Sequence, residues 1–445
     1  MPEIASPPAS TLTPAKTARQ RSDTLTSIWM IIAVAMALVT LVVKNRMPQP
    51  LWTIIHLVTL GVLSNGIFQW SWFFARSLAR LSADDPRARR HNTIRILIFN
   101  ACFLLLFVSM WMGWMVGTMI AATGIAAVAA WHGAEMLSVL RERLASRFVI
   151  VVRYYVCSAS FFVLAALLAS FVSATMFSPS IPEALVAMRD RLTLAHALSG
   201  VAGWVGLTIG GTVITLGPTI LRTRMSPDAV SGGVRVLLPW CLSLLLAIAG
   251  ALLGVMPLVG AGILAVGTCA IVGIVCPYAK VLRNKGPREY SAWSFLLGLL
   301  WISVGVCALG VASLFVSTPS QLRALTLMWI PIIGIAGFAQ LFQGALSYLM
   351  PVVIGGGPSV VRIGIAIIDW QYSLRLGLRN GALILELFLF FTSESSSVQV
   401  LRTAGWLLVI ATFVIDVVIY AKTGVTQARA RRARSETLSE SRQVQ

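Results

Sequence analysis

Long apolar runs, each near the length of a membrane-spanning helix and parted by short polar or glycine- and proline-marked stretches, repeat along the whole chain. A helix that crosses a bilayer needs about twenty mostly apolar residues. Runs of that kind cover 25–43, 51–75, 96–112, 115–139, 154–177, 192–218, 236–256, 258–279, 291–316, 325–349, 380–392 and 401–421. The pattern predicts an all-α fold, a polytopic membrane helical bundle of about 12 transmembrane helices. The eleventh run is the shortest. Runs three and four meet at Met112-Gly113-Trp114, and seven and eight at Pro257, where tight helical hairpins are expected.

The flanks read differently. Residues 1–24, with Pro7, Pro8 and Pro14 among Ser, Thr and Ala, are expected to be a disordered cytoplasmic tail rather than a signal peptide. The stretch 350–379 is half apolar and reads as lying on the membrane surface over Val360–Leu378. Residues 422–445 form a basic cytoplasmic tail, which leaves 25–421 as a single membrane domain.

Charge sets the orientation. Of the 35 Lys and Arg residues, 29 fall on one side of the expected bundle; the other side holds Lys44, Arg46, Arg189, Arg191, Arg323 and Arg402. Cytoplasmic loops retain positive charge during insertion, so both termini are expected in the cytoplasm of a multi-pass protein of the cell (inner or plasma) membrane. The same asymmetry accounts for the net charge of +19. These are topology charges that meet the lipid bilayer and its anionic headgroups, and no nucleic-acid partner is implied.

Sequence motifs narrow the chemistry mainly by exclusion. The chain has no G-x-x-x-x-G-K-[ST], no G-x-S-x-G and no H-E-x-x-H, which argues against an ATPase or a standard hydrolase. The run Gly355-Gly356-Gly357-Pro358 follows the tenth span, where glycine and proline end a helix; a phosphate cradle is the alternative. All six cysteines lie inside spans without C-x-x-C spacing, so they read as small apolar fillers with no structural disulfide. Cys269 and Cys276, seven apart, share a helix face and carry a weak soft-metal reading.

Polar groups placed where polarity is costly carry most of the functional information. His91 and His132 fall near the cytoplasmic ends of their spans and are expected to be solvated or headgroup-facing. His56 and His196 instead fall about 5–8 Å inside the opposite boundary on spans two and six, at roughly 1.5 Å per residue. Two imidazoles at one depth on different helices suit a b-type haem or a copper ion; the alternative is that each bonds a neighbouring carbonyl or hydroxyl. Gly200, Gly203, Gly206, Gly210 and Gly217 let another helix or a flat cofactor approach span six. Thr208, Thr212, Thr215 and Thr219 line its other face, as an ion path or as hydroxyls bonded to their own helix.

Met110, Met112, Met115 and Met119 cluster with Trp111 and Trp114 at the turn between spans three and four. Thioethers suit Cu(I), so the four are candidate metal ligands; the alternative is an aromatic belt with flexible fillers. Glu386 and Asp416 are intramembrane carboxylates, either functional or partners of groups such as Arg379 and Tyr420.

Three blocks carry a family resemblance. They are His56-Leu-Val-Thr-Leu-Gly61 with Asn65 and Trp70; Leu194-Ala-His196 with Gly203-Trp-Val-Gly-Leu-Thr208 and Thr215 to Arg224; and Gly344-Ala-Leu-Ser-Tyr-Leu-Met-Pro351. They resemble a family of actinobacterial membrane proteins that also occurs as the membrane portion ahead of multicopper-oxidase or copper nitrite-reductase-like domains. That family is distantly similar to haem-copper oxidase subunit I and to NnrS-type nitric-oxide-response proteins. The resemblance implies a haem-copper-oxidase-like or NnrS-like bundle, with His56 at the haem-binding position of span two and His196 at the copper-binding position of span six. Spans seven and ten hold no histidines, so a binuclear oxygen-reducing centre is not expected. The chain is expected to be the membrane part standing alone.

The reading that results is a membrane redox or metal-handling protein holding one haem or copper between His56 and His196. It would serve an extracytoplasmic copper protein, by passing electrons from quinol or by moving copper. The competing readings are a cofactor-free secondary transporter or permease, using Asp416, Glu386 and the threonine stripe, and a membrane assembly partner.

Overall fold

The computed structural model describes residues 14–443 except 83, 144–148, 178–181, 225–226, 285 and 394. Among these residues every regular element is a helix. In chain order they are α1 (Pro14–Val43), α2 (Pro50–Leu78), α3 (Arg87–Trp111), α4 (Met115–Glu142), α5 (Val149–Phe177), α6 (Glu183–Ile220), α7 (Pro227–Leu253), α8 (Met256–Arg283), α9 (Tyr290–Ser313), α10 (Pro319–Ile354), α11 (Pro358–Ile368), α12 (Tyr372–Phe390) and α13 (Ser396–Gln443). Eleven helices among the described residues, all but α11 and α12, are long and apolar enough to cross a membrane. Both expected hairpins form. Gly113 turns α3 into α4 at φ +64°, and Gly254 turns α7 into α8 at φ +76°, leaving Pro257 inside the first turn of α8.

The structure corrects two expectations and adds to two others. The eleventh candidate span, placed at 380–392, is α12, which begins at Tyr372 and carries Arg375, Arg379 and Glu386. Three charges in nineteen residues keep it from reading as an apolar span. The stretch Val360–Leu378 is not a single surface helix: it breaks at Asp369–Gln371, and Arg375 and Arg379 are buried. Of the expected disordered tail, 14–24 are the start of α1, while 1–13 lie outside the described residues. The basic tail likewise continues α13 to Gln443.

The chain divides into two compact units. Unit 1 is Met1–Val213 with Leu244–Leu258, and unit 2 is Ile214–Ser243 with Val259–Gln445. Within unit 1, small residues let helices close on one another: a Cβ at Gly203 would lie 2.5 Å from Phe161 Cβ, and one at Gly211 2.5 Å from Tyr154 Cβ. Between α2 and α4, Arg87 clamps Asp85 (2.7 Å) and Glu142 (2.6 Å), and its guanidinium holds the loop carboxylate of Asp85 below the ordinary range.

Unit 2 is organised by α13. α11 and α12 run in series along it in the opposite sense, with Gly357 beside Arg434, Gly364 beside Gln427, Arg375 bonded to Asp416 and Arg379 to Thr412 at 3.0 Å. Gln371, at φ +48°, is the left-handed residue that restarts the helix after the break. Arg375 occupies the carbonyls the break frees, donating from Nε to Trp370 O at 3.0 Å and from Nη2 to Ile368 O. Asp416 also accepts from Arg379 and, at 2.6 Å, from Tyr290 Oη. Asp369 accepts the backbone N–H of Tyr290 at 2.8 Å.

Removing one partner of a buried ion pair leaves a charge without compensation, at a cost of about 3–5 kcal/mol. Asp416→Asn is therefore expected to lower the unfolding free energy of the detergent-solubilised protein by that order. A loss below about 1 kcal/mol, the range of a surface pair, would contradict the lock.

Candidate functional site

His56 and His196 come together in unit 1. Each sits at the same kind of transition in its helix. His56 ends the α-helical turn Pro50–His56, and a π-helical stretch, Leu57–Ser64, follows at once. His196 lies in Arg189–Ala197, followed by the π-helical stretch Leu198–Gly206. The wider i→i+5 winding re-aims side chains, and such turns concentrate at functional sites. Eight residues further along each helix, Trp204 Nε1 donates to Ser64 Oγ at 2.9 Å, so α2 and α6 run parallel with matched register.

The two imidazole rings lie 6.1 Å apart between centroids with 12° between their planes. His56 Nδ1 is 2.8 Å from Trp52 O, and His196 Nδ1 is 2.8 Å from Ala165 O. A carbonyl oxygen only accepts, so each Nδ1 carries the proton and each Nε2 keeps its lone pair. Metal-binding histidines are held this way, with the non-ligating N–H fixed by a carbonyl or carboxylate. Two Nε2 atoms bound about 2 Å from one metal, opposite each other, place ring centroids roughly 6 Å apart. Both rings are partly accessible. The ring separation of the pair is of that size, and both Nε2 atoms are left as donors.

Among the described residues no group of three or more His, Cys, Asp or Glu side chains converges on a metal-sized site. Two imidazoles are a complete protein contribution for a haem iron, whose macrocycle brings its own four nitrogens; a copper ion would have only the pair from these residue types. The glycines of α6 divide in role. Gly203 packs on Phe161, whereas a Cβ at Gly200 would meet only Ala165, at 3.8 Å.

The other candidates separate. Met110 is buried, Met112 is 75% exposed, and Met115 and Met119 are partly exposed, so the four thioethers occupy different surroundings. His132 is not solvated: it is wholly buried on α4, with Nε2 3.3 Å from Ser71 Oγ and the rings of Phe68, Trp72 and Trp204 around it. Helical phase decides this, since its side of α4 faces α2. His91 is partly exposed and bonds Glu135 at 2.7 Å, which also pairs with the buried Arg95. The threonines bond back along α6: Thr208 to Trp204 O, Thr212 to Thr208 O and Thr219 to Thr215 O. The glycine run is positioned by Arg431, donating to Ile354 O at 2.8 Å, and Arg434, donating to Gly356 O at 2.9 Å. All six cysteines are free thiols, and the π-helical turn Ile271–Val275 interrupts the helical register between Cys269 and Cys276.

In unit 2 the pairing of Asp416 with Arg379 matches one of the partners named from sequence. Its full set was not legible there. Arg375, Tyr290 and Gln343, which bonds Arg379 Nη1 at 2.9 Å, come from three different helices. Glu386 lies near the other end of α12, 3.7 Å from Arg402 Nε.

Comparison of the chain with protein-family models and with curated proteins finds no match. The geometry of the site therefore carries the functional argument by itself.

The packing around the pair gives a matched test. Gly203→Ala pushes a methyl into Phe161 and is expected to cost about 1–3 kcal/mol. Gly66, where an added Cβ meets nothing within 4 Å, should tolerate Ala and gain up to about 1 kcal/mol from helix propensity. Thermal unfolding of both variants checks the contrast, and equal shifts would show that α6 is not held by close approach at Gly203.

Proposed function

We propose that unit 1 holds one metal centre, a b-type haem or a copper ion, between His56 and His196, and that the protein is a membrane redox or metal-handling protein. The observation that carries the reading is the matched pair itself. Two near-parallel imidazoles 6.1 Å apart each have Nδ1 tied to a backbone carbonyl, leaving both Nε2 lone pairs to bind. Simple hydrogen bonding would satisfy one nitrogen of each ring and gives no reason for the two rings to face one another. A bound haem or copper supplies one-electron chemistry; the chain's own residues hold the ligands in one tautomer and set the ring planes. The partners this implies are quinol and an extracytoplasmic copper protein, for electrons or for copper itself.

Each His→Ala substitution should act alike if the centre is shared. His56→Ala and His196→Ala are each expected to abolish or radically change the Soret and α-bands of a haem protein, or to remove the same one equivalent of copper, while the folded protein stays in the membrane. Metal content unchanged in both variants would end the proposal.

We further propose the plasma membrane as the location, with both termini in the cytoplasm. The division of basic residues, 27 to 6 once the buried Arg375 and Arg379 are set aside, supports the orientation. Both termini on one side require an even number of crossings, and α11 with α12, in series along α13, supply the twelfth. A cysteine at Ser82 should then resist membrane-impermeant maleimide in intact cells, and one at Ser320 should react. The reverse pattern would invert the protein and place the histidines at the inner face.

A second reading, a transporter, has one observation in its favour. The α11–α12 break lies beside the buried Arg375, Arg379 and Asp416, and discontinuous helices with intramembrane charges mark ion and substrate sites in transporters. Against it, every guanidinium nitrogen in that cluster already has a partner within the chain.

A further inference from the structure

Trp52 touches His56 twice. Its carbonyl accepts the Nδ1–H at 2.8 Å, and its indole stacks on the imidazole at 4.3 Å with 22° between the planes. Both contacts follow from the four-residue spacing within one helical turn. Only the second depends on the side chain. Fixing the tautomer needs the carbonyl alone, so the stacked indole has another consequence.

Trp52 is partly exposed, while its neighbour Thr53 is buried and accepts the Nε1–H of Trp111 at 3.1 Å. Trp52 is also 6.0 Å from Phe107, which is 4.9 Å from Trp111. Trp111 leads into the turn where Met112 and Trp114 are exposed. A second line of rings leaves Phe107 in the other direction, through Phe103, Phe99 and Phe68. That line is longer and made of buried benzene rings. The shorter line, from Trp52 through Phe107 to Trp111, leads to the turn where Met112 and Trp114 are exposed.

We propose that Trp52 is the electronic contact of the imidazole pair, through which the metal held by His56 and His196 exchanges single electrons with a redox partner at the Met112–Trp114 end of unit 1. The proposal rests on the metal-centre reading above. A metal held there would give up one electron, and the copper(II) centre of the extracytoplasmic copper protein would gain it. The indole undergoes no net oxidation, and no proton is transferred. Electron tunnelling weakens exponentially with distance and most steeply across gaps between groups, so an aromatic ring stacked on the ligand shortens the weak part of the path. Trp52 is thus a positioning and coupling residue, not a ligand.

The test uses the full-length protein, purified in detergent and reduced with dithionite. Its oxidation by ferricyanide is followed by stopped-flow at the metal's own absorption, so only loaded molecules are counted. Trp52→Leu removes the ring and keeps the carbonyl; it is expected to slow oxidation roughly 10-fold, the lower end of what loss of a group supporting a metal ligand costs. Trp52→Phe, which retains a stacked ring, should keep most of the rate, and Phe103→Leu, on the other line, should keep all of it. Metal content and midpoint potential are measured on each variant, so that a change in driving force is not read as a change in coupling. A wild-type rate in loaded Trp52→Leu, or an equal loss in Phe103→Leu, overturns the proposal while leaving the metal centre standing. Absence of metal from the wild-type protein overturns both.

Discussion

The hydrogen bond from Trp204 to Ser64 fixes the register of α2 against α6, and with it the depth at which His56 and His196 meet. In an apolar medium, helices gain nothing from hydrophobic association, so close approach and interhelical hydrogen bonds must hold them. Here Gly203 lets Phe161 of α5 close on α6, and the carbonyl of Ala165 on the same helix takes the Nδ1–H of His196. The groups that hold α6 in place therefore also orient its histidine. On α2 the orienting carbonyl is local, at Trp52, and needs no second helix. His196 is thus the member of the pair whose orientation depends on tertiary packing.

Unit 2 solves a different problem with charge. A helix broken among apolar neighbours exposes carbonyls that no water can satisfy, and each would cost several kcal/mol. Arg375 covers two of them and shares Asp416 with Arg379. The cation–π contacts, Arg375 over Tyr290 at 4.5 Å and Arg379 over Phe413 at 4.0 Å, add to the desolvated environment of both guanidiniums. Asp369 then pins the break to the first residue of α9.

The helical architecture was legible because membrane-length apolar runs are the strongest periodic signal a sequence carries. It failed at α12, where Arg375, Arg379 and Glu386 interrupt the run; the charges that hide the helix are those that anchor it to α13 and pair at its far end. His56 and His196 were readable as a pair because depth follows from counting residues along a helix. What counting leaves open is azimuth. His132 was read as solvated because its position along α4 lies near a polar loop, yet its helical phase turns it toward Ser71 and Phe68. Tyr290 and Gln343 carried no signal, since their meeting with Asp416 and Arg379 depends on how four helices are rotated. The four methionines were close in sequence but differ in the direction each faces.

X-ray absorption at the iron and copper edges of the purified full-length protein tests the shared centre most directly. The account predicts an edge from one of the two metals, with imidazole nitrogen scatterers at about 2 Å and the outer-shell pattern of two rings bound through Nε2. Iron or copper absent at stoichiometric level, or a metal whose scattering shows no imidazole, would contradict it.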